Sequence, residues 1–392
     1  MAFQQRLPVE FYQRVQARVR DRLSAAGHDA GLFDHPDDVA YLTGFFHHPG
    51  ERPVVVYLPA DHADAVLLLP ELEREHAEWQ RSAAQLVSYP EFPGVRSPWR
   101  YLADEVPAPA GLGVSAGLSI GRQQQLAGLW PGSRLAVTTA VSDERLRKHP
   151  EEIALHAEAA RITDRMIEAG IALIIDAARA GRDLPSEAEL AGHVGSVGTS
   201  MMYAEHENVV VVGLLAGGLV YAGPNSAKPH GLPSGYRLRP GDTFMLSLGC
   251  AVGGRYVEGE RTFLLGEPSS EQRRYYEVVR QAQQTGIDSI RPGITCAESN
   301  KLCLDVIRAA GLEQFLRHRQ GHGIGIGMHE PPWLEDGDST VLAENFVVSN
   351  EPGIYVPGHA GYRISDSMLV TADGAKPFTS YPKSLDDIVI DL

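Results

Sequence analysis

The sequence predicts a two-part α+β protein, with a smaller α/β domain ahead of a larger domain of antiparallel strands and grouped helices. Three observations predict it. Apolar runs of strand length alternate with helical patterns up to residue 141, as in an α/β layer. A charged segment ending in proline, residues 142–150, then marks a joint. Beyond it, strand-length runs bounded by turn signals lie among long helical patterns. The expected domains are residues 1–145 and 146–392.

Phe11, Val15, Val19 and Leu23 recur at helical spacing, which predicts a helix over residues 8–26. From residue 31 short strands are expected. Gly31-Leu32-Phe33 leads into the run at 36–45, and residues 52–58 and 65–69 follow, with helical patterns at 71–85 and 121–129. In the second half, Pro150-Glu151-Glu152 opens a long helix, with proline and acids where a first turn favours them. Its apolar positions hold helical spacing to about residue 178, and another helix follows Pro185-Ser186-Glu187. The β-branched run at 208–213 reads as a strand. Residues 242–249 and 255–265 read as a strand pair after the turn signal Pro240-Gly241. Helices are expected at 270–290 and 296–310, and strands at 346–351 and 367–370.

A formal net charge of −15 argues against a nucleic-acid partner, which would want a basic face. Three sparse cysteines argue against a disulfide framework or a thiolate zinc site. No leader-type apolar region opens the chain and no apolar run is long enough to span a bilayer. A cytoplasmic protein without a membrane partner is expected.

The densest polar signal is the run at 321–331, which carries four glycines and sets His322 and His329 seven residues apart. Glycine lets backbone approach closely because no Cβ intervenes. Two nearby imidazoles offer a base, an acid, a hydrogen-bond clamp or metal ligands. Other ionisable residues punctuate apolar strand patterns: His230, Glu258, Glu260, Glu351, Arg363 and Asp366. Glu258 and Glu260, two apart in a strand, share a face. Two carboxylates so placed repel unless a cation, a proton or a donor lies between them. Each residue also has an ordinary reading. Glu260 could pair with Arg261, Arg363 with Asp366, and His230 or Glu351 could simply be solvated.

Taken in order, these pieces resemble the creatinase/aminopeptidase superfamily of pita-bread fold, which includes methionine aminopeptidases, Xaa-Pro peptidases, creatinase and ectoine hydrolase. The matching pieces are Pro229-His230, the strand pair ending in Glu260-Arg261-Thr262, the Gly-rich run, Ser349-Asn350-Glu351-Pro352-Gly353 and Gly361-Tyr362-Arg363-Ile364-Ser365-Asp366. Val39-Ala40-Tyr41-Leu42-Thr43-Gly44-Phe45 and Arg52-Pro53 are similar to the N-terminal domain of the prolidase and creatinase branches. The resemblance implies a pita-bread catalytic domain behind a smaller α/β domain.

Metallopeptidase members of that superfamily hold two divalent cations with two Asp, one His and two Glu. The resemblance puts Ser247, Glu258, His322, Glu351 and Ser365 at those places. Two neutral serines remove two anchors that a dinuclear site needs. The expectation is therefore the metal-free branch, similar to creatinase and ectoine hydrolase. That branch implies His230 as general acid and base, Glu260 and Glu351 holding a cationic substrate, and Tyr256 and His322 beside them. Glu258, His329, Trp333, Arg363 and Arg52 are expected around the substrate. Trp333 stands where creatinase-like enzymes carry an arginine, so a cyclic or more apolar amide or amidine fits better than creatine.

The expected function is thus metal-independent hydrolysis of a C–N bond in a small amide, amidine or guanidino compound, without a cofactor. The alternatives are a metal-dependent Xaa-Pro peptidase and a pita-bread scaffold that binds without catalysing. If one Mn or Zn ion is present, Glu258, His322 and Glu351 are its expected ligands. Two-domain relatives imply a homodimer in which Arg52 of one chain completes the neighbour's site.

Overall fold

A computed structural model describes residues 2–211 and 213–392. They form two compact units, one made mainly of Arg6–Arg145, the other mainly of Leu146–Val209 and Leu214–Leu392. The fold class is the expected one: mixed helix and strand, with a small N-terminal domain and a pita-bread C-terminal domain.

The first unit is a six-stranded sheet in the order Gln85–Tyr89, Val66–Pro70, Val55–Pro59, Ala30–Phe33, Gly111–Val114, Arg134–Val137. Its core packs Leu32, Val55, Leu68, Trp99, Leu112 and Leu126. The amphipathic helix Val9–Ala25 buries Phe11, Val15, Val19 and Leu23, as its spacing predicts. The run at 36–45 departs from expectation. It is a helix, Pro36–Thr43, with proline in its first turn and Gly44 closing it at φ +75°. Val39, Ala40, Tyr41, Leu42 and Thr43 are all buried, so the run carries no period to betray its helicity.

The second unit is organised on the antiparallel hairpin Thr243–Val252 and Arg255–Leu265. Among the described residues its sheet has nine strands. From the hairpin it runs through Ser365–Val370 and Val347–Asn350 to Gly321–Gly323 and Glu330–Leu334, with Ala216–Ala222 on the other flank. The long helix Pro150–Arg179 backs the hairpin and buries Met166, Ile167 and Ile174. The next helix, Glu187–Glu205, is capped by Ser186, whose hydroxyl accepts from Glu189 N. The strand expected at 208–213 does not form over its described residues. Only His206–Glu207 pairs, with Phe3–Gln4, and Asn208 then turns at φ +55°. Val212 lies outside the described residues. The three cysteines, Cys250, Cys296 and Cys303, are free and buried in this unit.

Candidate active site

Strand parity and register assemble the site. Glu258 and Glu260 project from one face of the hairpin, and Ser247 stands opposite Glu260 in register. Ser365 pairs with Glu260 from the next strand, and Gly323 of the glycine-rich segment pairs with Val348. The glycines there are required by close approach. A Cβ on Gly323 would lie 2.2 Å from the Pro331 carbonyl oxygen, and one on Gly325 would lie 2.2 Å from Glu330 Oε1. Glu330 is itself buried, bonded to Lys148 Nζ at 2.9 Å and to Gly327 N at 3.2 Å. This ion pair anchors the loop that carries His329.

One half of the site is short of positive charge. His322 is buried and donates Nδ1–H to the Gly323 carbonyl at 3.0 Å. That bond fixes the tautomer and leaves Nε2 as the free ring nitrogen. Nε2 is buried without a hydrogen-bond partner, 3.3 Å from Glu351 Oε1 and 3.7 Å from Glu258 Oε2. Glu258 Oε1 is already taken by the Ser365 hydroxyl at 2.9 Å. The His322 and His329 rings lie 4.0 Å apart, and Glu258, His322 and His329 offer ligand atoms within 4.8 Å of one another. The cluster therefore draws protons. Burial and the charge of Glu351 push Glu258 up to about 8. Burial would lower His322, but Glu258 and Glu351 hold it up at about 9. Burial opposes ionisation of Glu351, yet His322 keeps it down at about 2.

The other half is closed. The Arg363 guanidinium lies against both oxygens of Glu260, with Nη2 2.7 Å from Oε1. Nη2 also donates to Ser247 Oγ at 3.0 Å, and Ser247 donates to Glu260. Nη1 donates to the Tyr355 hydroxyl at 3.1 Å, which also meets His318 Nε2 at 2.8 Å. Both ordinary pairings suggested by the sequence are replaced. Glu260 pairs with Arg363, and Arg261 pairs with Asp366 at 2.7 Å on the opposite face.

The remaining candidates are spread more widely. His230 is exposed in the turn after the 3-10 helix Gly223–Ala227. Burial and His322 lower His329 to about 4, and a smaller part of that shift comes from His230, which places it within electrostatic reach. Trp333 pairs with His322 in register and carries Arg319 over its ring at 4.3 Å. Tyr256 is drawn into an apolar cluster with Ala251, Ile324 and Val347. Arg52 belongs to the first unit, where it is half-exposed and bonded to Glu91 at 2.7 Å. Sequence reasoning missed His318, Tyr355 and Lys148. His318 stands four residues before His322, a spacing that could have flagged it.

Acids and imidazoles thus converge on one sheet face of the second unit. Comparison with known proteins makes the class specific. Residues 154–372 match the model of Metallopeptidase family M24, and residues 14–148 that of the Creatinase/Prolidase N-terminal domain. The chain belongs to that peptidase family within the creatinase/aminopeptidase superfamily, and it is an enzyme acting on a C–N bond. It is 32% identical over 383 residues to the Xaa-Pro dipeptidase of Lactobacillus helveticus, covering 95% of this chain and 98% of that one. Among solved structures it is similar to the Xaa-Pro dipeptidase from Bacillus anthracis, with a TM-score of 0.82, 26% identity and coverage of 97% and 100%. The prolidase from Pyrococcus horikoshii gives 0.81, 26%, 95% and 99%.

These relatives overturn two expectations. The metal-independent, creatinase- or ectoine hydrolase-like reaction gives way to the metal-dependent peptidase reading, and the expectation of no cofactor falls with it. Family membership also sets aside a scaffold without catalysis. The residues present fit one divalent cation. Glu258, His322 and His329 offer ligand atoms around a common point, Glu351 stands 3.3 Å from the buried His322 nitrogen, and the charge this acidic cluster draws is positive. They do not fit a pair of cations. Two dications about 3.5 Å apart repel by roughly 20 kcal/mol at an effective dielectric of ~20. Only Glu258 and Glu351 are available to offset this, since Arg363 neutralises Glu260 and positions 247 and 365 are serines.

Proposed function

We propose that the chain is a metal-dependent dipeptidase that hydrolyses the peptide bond of small Xaa-Pro-type dipeptides. The observation that carries this is His322 Nε2, buried and unpartnered between Glu258 and Glu351, in a chain similar along 95% of its length to an Xaa-Pro dipeptidase. Glu258, His322, Glu351 and His329 would hold a divalent ion such as Mn or Zn. When bound, the ion supplies Lewis acidity to the scissile carbonyl and acidifies a water.

The chain's own groups do the rest. Glu351, at the edge of the cluster, takes the proton of the attacking water and passes it to the leaving nitrogen. His230 holds the substrate carboxylate by a hydrogen bond. Trp333 offers an apolar face to a ring. Arg363 fixes Glu260 and Tyr355 and so shapes the wall. The same reading takes residues 1–145 and 146–392 as its domains, a cytoplasmic homodimer as its form, and Arg52 as a contribution to the neighbouring subunit. Nucleic acid and membrane are not partners in it.

The test is turnover of Xaa-Pro dipeptides by the full chain before and after chelation. Activity should be lost on chelation and restored by Mn or Zn. Failure of every metal-reconstituted sample to release free proline would overturn the proposal.

A further inference from the structure

We infer that each chain holds one divalent cation, at Glu258, His322, His329 and Glu351, and that the Arg363 guanidinium permanently fills the seat a second cation would need. The inference rests on the metal-dependent reading and departs from the two-cation arrangement that the family implies.

The two halves of the site differ in what they leave unsatisfied. Around His322 a buried ring nitrogen has no hydrogen-bond partner, and two carboxylate oxygens face it at 3.3 and 3.7 Å. Around Ser247 the charges cancel. Arg363 is engaged by Glu260, Ser247 and Tyr355, and the Ser247 hydroxyl donates its hydrogen bond to Glu260.

The link between the halves is also missing. A carboxylate that bridges two ions must offer one oxygen to each. Glu258 has one oxygen bound by the Ser365 hydroxyl at 2.9 Å, so only Oε2 faces His322. Glu260 stands on the same face but turns both oxygens to the guanidinium. A guanidinium is planar, always charged and matched to a carboxylate's two oxygens, so it does not yield its place readily to a metal ion.

The experiment loads the purified full chain with excess Mn(II), removes unbound metal by gel filtration, and reads metal per chain by mass spectrometry and the coupling between ions by electron paramagnetic resonance. About one ion per chain with an uncoupled spectrum is expected. His322→Ala should lose at least tenfold in Mn(II) affinity while its circular dichroism stays that of the parent. The triple variant Ser247→Asp, Ser365→Glu, Arg363→Ala should take up a second ion and show a coupled spectrum. Two coupled ions in the unaltered chain would overturn the inference and leave the dipeptidase proposal standing. Retention of Mn(II) at parental affinity by His322→Ala would refute the assigned seat. A triple variant that is folded but still holds one ion would refute the role given to Arg363. Absence of bound Mn(II), and of Zn(II) and Co(II) in parallel loadings, would refute both readings.

Discussion

The clearest lesson at the scale of single residues is parity. Glu260 and Arg261 are neighbours in one strand, so their side chains face opposite sides of it, while Arg363 and Asp366 fall in two separate strands, Ala360–Arg363 and Ser365–Val370. Each acid therefore finds its partner across the sheet: Glu260 with Arg363, Arg261 with Asp366. This was legible in the sequence as parity but not as register, because which strand lies beside which is set by long-range pairing. The metal was misjudged for a related reason. Counting two lost anchors at Ser247 and Ser365 is possible from sequence. Seeing that His329 closes on His322 at 4.0 Å needs the folded loop. Ser365 nevertheless supports the site by holding Glu258. Ser365→Ala should weaken metal affinity by about 10- to 100-fold, as loss of a ligand's hydrogen-bond partner does, measured by competition with a chromogenic chelator.

His156 gives a pH prediction at the same scale. It is fully buried and donates Nδ1–H to the Tyr256 carbonyl at 2.8 Å. Burial, aided by Lys148, lowers it from 6.5 to about 3. A depressed histidine is neutral in the native state, so as pH falls the unfolded chain takes the proton first. Stability contributed above pH 6.5 is then lost as pH drops toward 3. Between pH 7 and 5 this costs about 2 kcal/mol. His156→Asn should shrink the difference between urea midpoints at those two pH values.

Secondary elements were legible where their period was clean. The helices Val9–Ala25 and Pro150–Arg179 and the hairpin of the second unit appear within a few residues of their expected bounds. The helix Pro36–Thr43 was hidden because every residue from Val39 to its end is buried. Burial on all sides erases the pattern that separates helix from strand. The glycine-rich element is the most constrained piece of the site. Gly323→Ala would drive a Cβ to 2.2 Å from a backbone oxygen that cannot swing away. A cost of about 1–3 kcal/mol is expected from the overpacking, seen as a lower melting temperature, together with at least a tenfold fall in dipeptide cleavage as His329 shifts.

The whole molecule is two units with separate cores, and among the described residues no helix is long and apolar enough to cross a membrane. The donors of the candidate metal site all lie in the second unit. An ion that binds the native state alone stabilises it by mass action, about 2.7 kcal/mol at a hundred times the dissociation constant. Scanning calorimetry of the full chain should therefore show the transition of residues 146–392 rise with Mn(II), while that of residues 6–145 stays fixed. A uniform shift of both would mean that the units melt as one.

Cys250, Cys296 and Cys303 are all buried within the second unit. Burial pushes the Cys250 and Cys296 thiols up to about 12, and Cys303 upward as well, so at neutral pH they are shielded and almost without thiolate. The native chain is thereby silent toward alkylating reagents. Maleimide labelling becomes a clock for transient opening of that unit alone, and an ion locked among Glu258, His322 and Glu351 should make the clock run slower.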